Sequence, residues 1–189
     1  MIKMLALAAG LVVSTAAVAA DMPVKAQPYV TPVTDMWSGF YIGGGAGYAW
    51  ANSDPSRSDD FTGMTFGGHA GYQRQHGNFV IGLETGVTSF SNVKLNGVGC
   101  DCIVGDLQAK LGYTITPTVL LYGTGGGFWH NYGQGVPSFG WSAGAGIGWL
   151  PINNHWMLDL KYTFRNLDVP NSGFSVFAHE AKATISYKF

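Results

Sequence analysis

Residues Ser175 to Phe189 (SVFAHEAKATISYKF) alternate with a period of two, and this constrains the fold more than any other feature of the chain. Counted back from the end, Phe189, Tyr187, Ile185, Ala183, Ala181, His179 and Phe177 fall on one face of an extended strand. Lys188, Ser186, Thr184, Lys182 and Glu180 fall on the other, because successive strand side chains point to opposite sides. The apolar face carries aromatics at both ends, and the polar face carries charges of both signs. This is the division expected of a strand with lipid on one side and a polar lumen on the other.

The same period recurs upstream. From Met36 onward the chain divides into eight extended segments, at about 39–51, 62–75, 79–90, 103–114, 118–130, 139–150, 155–167 and 175–189, with no helical period between them. The sixth is the clearest: Phe139, Trp141, Ala143, Ala145, Ile147 and Trp149 face one way, and Gly140, Ser142, Gly144, Gly146 and Gly148 the other. The fifth is expected to turn Leu120, Tyr122 and Phe128 outward, and residues 91–102 are expected to form a loop. His76-Gly77-Asn78, Thr116-Pro117 and Pro151 to Asn154 make short turns that alternate with longer loops. An even number of strands, each long enough to cross a bilayer at a tilt, predicts an all-β fold: an eight-stranded antiparallel up-and-down transmembrane β-barrel. Closure is required because an open sheet edge in lipid strands unpaired backbone groups.

The aromatics sort by height on this assignment. Tyr72, Phe79, Tyr113, Trp149, Trp156, Tyr187 and Phe189 lie by the short turns; Tyr48, Trp50, Phe66, Phe90, Phe128, Phe139, Phe164 and Phe177 lie towards the loops. Two girdles suit a membrane barrel. A soluble lipocalin-like barrel puts its apolar face inward instead.

The amino-terminal residues fit the same address. Lys3 precedes an apolar and small-residue run that closes with Val18-Ala19-Ala20, so residues 1–20 are expected to be a secretory signal peptide. Residues 21–36, with three prolines and no alternation, are expected to be a flexible periplasmic leader, and 37–189 the barrel. No other segment approaches the roughly 18 apolar residues of a spanning helix. Only 11% of residues are charged, against about 25% in soluble domains, so much of the surface is expected to avoid water. Without Lys3 the chain has nine basic and eleven acidic residues, a balance that offers no nucleic-acid surface. Cys100 and Cys102 are candidates for a disulfide with each other, for an intermolecular pair or for a metal clip.

The stretch Trp37-Ser38-Gly39-Phe40-Tyr41-Ile42-Gly43-Gly44, the GYQRQ run at Gly71 to Gln75, LLYGTGG at Leu120 to Gly126 and the terminal SYKF resemble the small porin-like outer-membrane surface antigens of alphaproteobacteria. The resemblance covers the mature chain. It implies an eight-stranded barrel in the bacterial outer membrane, in contact with outer-membrane lipid, and brings no catalytic motif. The ending with Tyr187 and Phe189 also resembles the terminal sorting signal of such proteins, which implies recognition by the barrel-assembly machinery during insertion. Some members of the family are linked to haemin binding or immunogenicity. The chain departs from the family pattern in its short loops and its Cys100-Asp101-Cys102 element.

The inward phase collects Glu84, Asp106, Asp159 and Glu180 against Lys110, Lys161, Arg165, Lys182 and Lys188. Charges this close in a low-dielectric tube must pair, since each unpaired one costs several kcal/mol. Asp159, Lys161, Arg165, Glu180 and Lys182 are expected to form one network, because the seventh and eighth strands are neighbours. Eight strands leave an interior just wide enough for side chains to fill. The expected role is therefore a non-enzymatic, structural one in the envelope, with a salt-bridged lumen. A small diffusion channel, with the charges as its constriction, is the alternative, as is binding of haemin or host molecules through the outer loops. For haemin, His130 and Tyr132 stand near one rim. His69, His76, His130, His155 and His179 show no metal-ligand spacing, and no cofactor is implied. His179 is the one outward-phase base high in the barrel, and no outward carboxylate accompanies it to build a triad. The glycine runs at 43–47 and 123–127 lead into no helix and lack the Lys-Ser/Thr ending of a phosphate loop, so they are expected to make room for bulky lumen residues.

Overall fold

A sheet in lipid has no water to satisfy its edges, and this chain removes the edges by closing on itself. The computed structural model describes residues 35–52, 61–95, 98–132, 136–151, 155–168 and 175–189. Within them lie eight strands: β1 (Gly39–Asn52), β2 (Phe61–His76), β3 (Phe79–Leu95), β4 (Val98–Thr116), β5 (Val119–Tyr132), β6 (Val136–Trp149), β7 (Trp156–Asp168) and β8 (Ser175–Lys188). Each pairs antiparallel with its neighbour in sequence, and β1 pairs with β8 from Tyr41↔Lys188 to Asn52↔Phe177, which completes an up-and-down barrel. Residues 1–20, expected as a signal peptide, and 21–34 of the expected leader lie outside the described residues.

The turns at 77–78 and 117–118, the end of β6, the start of β7 and both ends of the barrel chain share one end, the periplasmic end in barrels of this kind. Gly77, at φ +61°, makes the β2–β3 turn in a conformation that residues with a Cβ adopt only at a cost. Towards the other end, residues 91–95 and 98–102, expected as loop, continue β3 and β4 as a paired hairpin. Only a register shift between Phe90 and Val93 interrupts it. The alternation there is disturbed by this irregularity, so the ladder continues where the side-chain pattern does not.

The two-residue period divides lipid from lumen. Phe40, Ile42, Phe66, Ile81, Leu83, Leu107, Leu111, Trp141, Leu160 and Ile185 are exposed on the outside of the wall. Two expectations are corrected. On β5, Leu120, Tyr122 and Phe128 are 0%, 4% and 4% exposed, whereas Leu121 and Trp129 are 53% and 44% exposed, so the strand turns the opposite face to lipid. The cause is the neighbouring strand. Tyr122 and Phe128 lie over Gly146 and Gly140 of β6, close enough that a Cβ there would stand 2.6 and 2.5 Å from their rings. The opposite phase would set glycine against glycine and leave a void, which close-packed interiors avoid. Phe90, expected in the outer girdle, is likewise buried in the lumen, in the same phase of β3 as Glu84 and Thr88, as Phe128 is on β5.

Candidate functional site

The barrel interior holds nearly all of the buried polar chemistry, and it is stacked in layers. At the periplasmic mouth, Trp37 is fully buried among Tyr41, Val80, Leu120, Tyr122, Leu150 and Met157. Gly148 makes room for it, since a Cβ there would stand 3.2 Å from the indole. Trp37 Nε1 donates to the Pro117 carbonyl at 3.0 Å, and its carbonyl accepts from Gln73 Nε2 at 2.8 Å. The Met36 and Trp37 amides both donate to Gln75 Oε1, at 3.0 and 3.1 Å. Gln75 N donates to Ser38 Oγ at 2.8 Å, and Lys188 Nζ to the Ser38 carbonyl at 3.1 Å. The expected boundary between leader and barrel at 36/37 thus falls inside a firmly held segment, Asp35 to Ser38.

Above Trp37, two tyrosines face each other across the lumen. Tyr41 of β1 lies over Gly71 of β2 and donates to Glu84 Oε2 of β3 at 2.8 Å. Tyr122 of β5 lies over Gly146 of β6 and beside Asp159 of β7, four strands around the barrel from the first arrangement. Lys110 Nζ sits between the rings, 4.8 Å from the Tyr41 centroid and 4.6 Å from that of Tyr122, and reaches Glu84 Oε2 at 3.2 Å. Both rings offer it their negative faces. Lys161 Nζ crosses the lumen to Glu84 Oε1 at 2.8 Å and Gln108 Oε1 at 2.9 Å, and Gln108 Nε2 donates to Ser142 Oγ at 3.0 Å.

A second set of charges lies towards the loops. Arg165 donates to Glu180 Oε2 at 2.7 Å and stands 3.9 Å from Asp106 Oδ2. Glu180 Oε1 accepts from Thr65 at 2.7 Å and lies 3.6 Å from Lys182, whose Nζ donates to Thr88 Oγ1 at 2.7 Å. Lys161 and Lys182 are direct cross-strand partners, a position where like charges repel. They avoid each other by reaching in opposite directions, one to Glu84 and one to Glu180. Between the two sets remains a cavity of about 30 Å³, lined among others by His69, Asp106, Lys161 and Arg165. His69 Nε2 is 2.8 Å from Ser186 Oγ, so the cavity wall is itself hydrogen-bonded.

All eight residues singled out as lumen charges, Glu84, Asp106, Lys110, Asp159, Lys161, Arg165, Glu180 and Lys182, face the interior. They form two sets rather than one, and Asp159 stands apart from both beside Tyr122: no base lies within 4 Å of it among the described residues, and neither of its buried carboxylate oxygens has a hydrogen-bond partner there. Tyr41, Tyr122 and Trp37 are the members that the search for charges passed over. The one signal of the two tyrosines in the sequence is an aromatic opposite a glycine on the next strand; Trp37, which precedes β1, has none.

The other candidates lie apart from this site. His130, two residues from the loop end of β5, is buried on the lumen side of the wall and stacked on Phe128 at 6.3 Å. His179 lies in the outer aromatic band against Trp50 and Phe164, with Nδ1 2.6 Å from the Tyr162 hydroxyl. Cys100 and Cys102 both lie on β4, opposite Val93 and Phe90, and their side chains are outside the described residues. Phe189 N donates to the Phe40 carbonyl at 2.9 Å, with its ring against Tyr187 on the outer surface. Among the described residues no three His, Cys, Asp or Glu side chains are grouped to hold a metal ion.

Comparison with known proteins agrees with this architecture. Residues 5–189 match the family described as outer membrane protein beta-barrel domain. The chain is 32% identical to the 31 kDa outer-membrane immunogenic protein of Brucella melitensis biotype 1, over 93% of this chain and 95% of that protein. The same figures hold for the protein of that name from Brucella suis biovar 1. Among solved structures, Neisserial surface protein A superposes with a TM-score of 0.59 at 21% identity, covering 80% of this chain and 98% of that one. Ail, the attachment invasion locus protein of Yersinia pestis, gives 0.55 at 18% identity, covering 80% and 99%. At those identities the two structures speak for the fold alone. The family match and the Brucella relatives carry the assignment further: the chain belongs to the outer-membrane protein β-barrel family, as a surface-antigen-like barrel of the bacterial outer membrane.

Proposed function

We propose that this protein is a non-enzymatic structural component of the outer membrane, a barrel whose lumen is sealed by its own ion pairs. The observation that carries this reading is the filling of the interior: each of the seven network charges other than Asp159 has an opposite charge within 4 Å, and the cavity between the two charge sets is about 30 Å³. That holds a water molecule or two, too little for a hydrated ion to pass. The immunogenic character named for the Brucella outer-membrane relatives fits a barrel that presents its loops at the cell surface. The loops that ligand binding would use lie largely outside the described residues, and the inward position of His130 removes the support it gave to haemin binding.

The test is conductance. Refolded protein in planar bilayers should stay silent at voltages that do not rupture the membrane. Reproducible ohmic steps from correctly folded protein would replace this reading with the diffusion channel.

A further inference from the structure

We propose that Asp35 to Ser38 form a built-in stopper, in which Trp37 closes the periplasmic mouth independently of the ion pairs above it, so that the lumen has two seals in series. The inference rests on the reading of a sealed lumen and adds a second, apolar closure to it.

Three observations carry it. First, the segment is bound on every side. Gln73, Gln75, Pro117 and Lys188 all hydrogen-bond to residues 36–38, and these partners come from β2, the β4–β5 turn and β8. A strand leader that merely enters the wall has no need of contacts across the lumen. Second, the mouth is shaped for an indole. Gly148 is the position of β6 beneath the ring, and a Cβ there would press on both Trp37 at 3.2 Å and Asp159 at 3.0 Å. Third, the chain bends to deliver the ring. Gly39, at φ +141°, joins the inserted segment to β1, and a Cβ there would stand 2.7 Å from the Phe189 carbonyl at the closing seam. Only glycine accepts both the backbone angle and the approach.

The chemistry of this layer differs from that above it. Val80, Leu120, Leu150 and Met157 surround Trp37, so the layer excludes water by packing, whereas the upper layers close the tube by pairing charge. Two seals in series require that loss of one layer leave the other closed, although Tyr41 and Tyr122 touch both. Lys161 and Arg165 are the long β7 side chains that cross the lumen in the lower and upper charge sets respectively.

The experiment compares conductance of the wild type, Trp37→Gly, Lys161→Ala/Arg165→Ala, and the triple variant, each verified as a folded barrel by circular dichroism. Two seals in series predict silence from the wild type, from W37G and from the Lys161/Arg165 variant, and discrete steps from the triple variant alone. Trp37→Phe in place of Trp37→Gly in the triple variant should silence it again, because an apolar ring without the Pro117 hydrogen bond still fills the mouth. The stopper is refuted if the Lys161/Arg165 variant already leaks as much as the triple variant, or if the triple variant stays closed. Conductance from the wild type would instead overturn the sealed-lumen reading itself. Should the triple variant fail to fold, a protein retaining Trp37 alone of its six tryptophans decides the matter. Its fluorescence should be blue-shifted and resistant to iodide in liposomes of either orientation, and free quenching would refute the stopper.

Discussion

A glycine in this barrel means one thing inside and another outside. Gly71 leaves space for the Tyr41 ring, and a Cβ there would stand 2.5 Å from the ring and 2.7 Å from the Leu83 carbonyl, so Ala at this position must displace the tyrosine that donates to Glu84. Gly125 points to lipid, with no atom within 4 Å of where its Cβ would be. The same substitution should therefore have opposite signs. Gly71→Ala is expected to destabilise by about 1–3 kcal/mol through overpacking. Gly125→Ala should be neutral or stabilise by about 0.4–1 kcal/mol, because it restricts the unfolded chain without straining the folded one. Urea unfolding in lipid measures both, and equal effects would show that the tyrosine does not depend on the space under its ring.

At the scale of the strand, legibility depended on whether one face was unambiguously apolar. From Phe139 to Trp149 on β6 and from Glu180 to Phe189 at the end of the chain the alternation is unbroken, and their phases, the closed antiparallel order and the outward Leu83, Leu107, Leu111 and Leu160 could be read directly from the sequence. β5 could not, because Leu120, Tyr122 and Phe128 compete with Leu121 and Trp129 for the lipid face, and both phases contain glycine. What decides it is the glycine face of β6 opposite, a relation between strands that a single-strand pattern does not contain. Trp37 was missed for a related reason: it precedes the first alternating residue, in a stretch with no period, and only the closed barrel gives it a mouth to fill. The orientation of β5 can be tested with acyl chains brominated near the loop-side interface. A protein with Trp129 as its sole tryptophan should be strongly quenched, and one carrying its only tryptophan at position 128 should not. Strong quenching at 128 would return the strand to the opposite phase.

For the molecule as a whole, the lumen behaves as one electrically balanced body. Glu84, Asp106, Asp159 and Glu180 face Lys110, Lys161, Arg165 and Lys182, so four acids meet four bases in the two charge sets, while Lys188, the fifth inward base, donates to the Ser38 carbonyl at the mouth. Burying these charges costs desolvation that pairing barely repays, so the network is expected to specify how the strands align more than it stabilises them. That view separates two kinds of substitution. Glu180→Leu removes the acid shared by Arg165 and Lys182 and leaves the interior with excess positive charge. Its cost should be about 3–5 kcal/mol, the penalty of a buried charge without its partner. Arg165→Met together with Glu180→Leu deletes a neutral pair and leaves one acid and one base, Asp106 and Lys182, in the upper set, so its net charge is unchanged. The double variant should regain most of what the single one loses, giving a coupling energy of at least about 2 kcal/mol in a double-mutant cycle. Unfolding midpoints of the four proteins in the same lipid provide the measurement. Simple additivity would mean that each charge is stabilised locally by its hydrogen bonds, and that balance across the lumen contributes nothing.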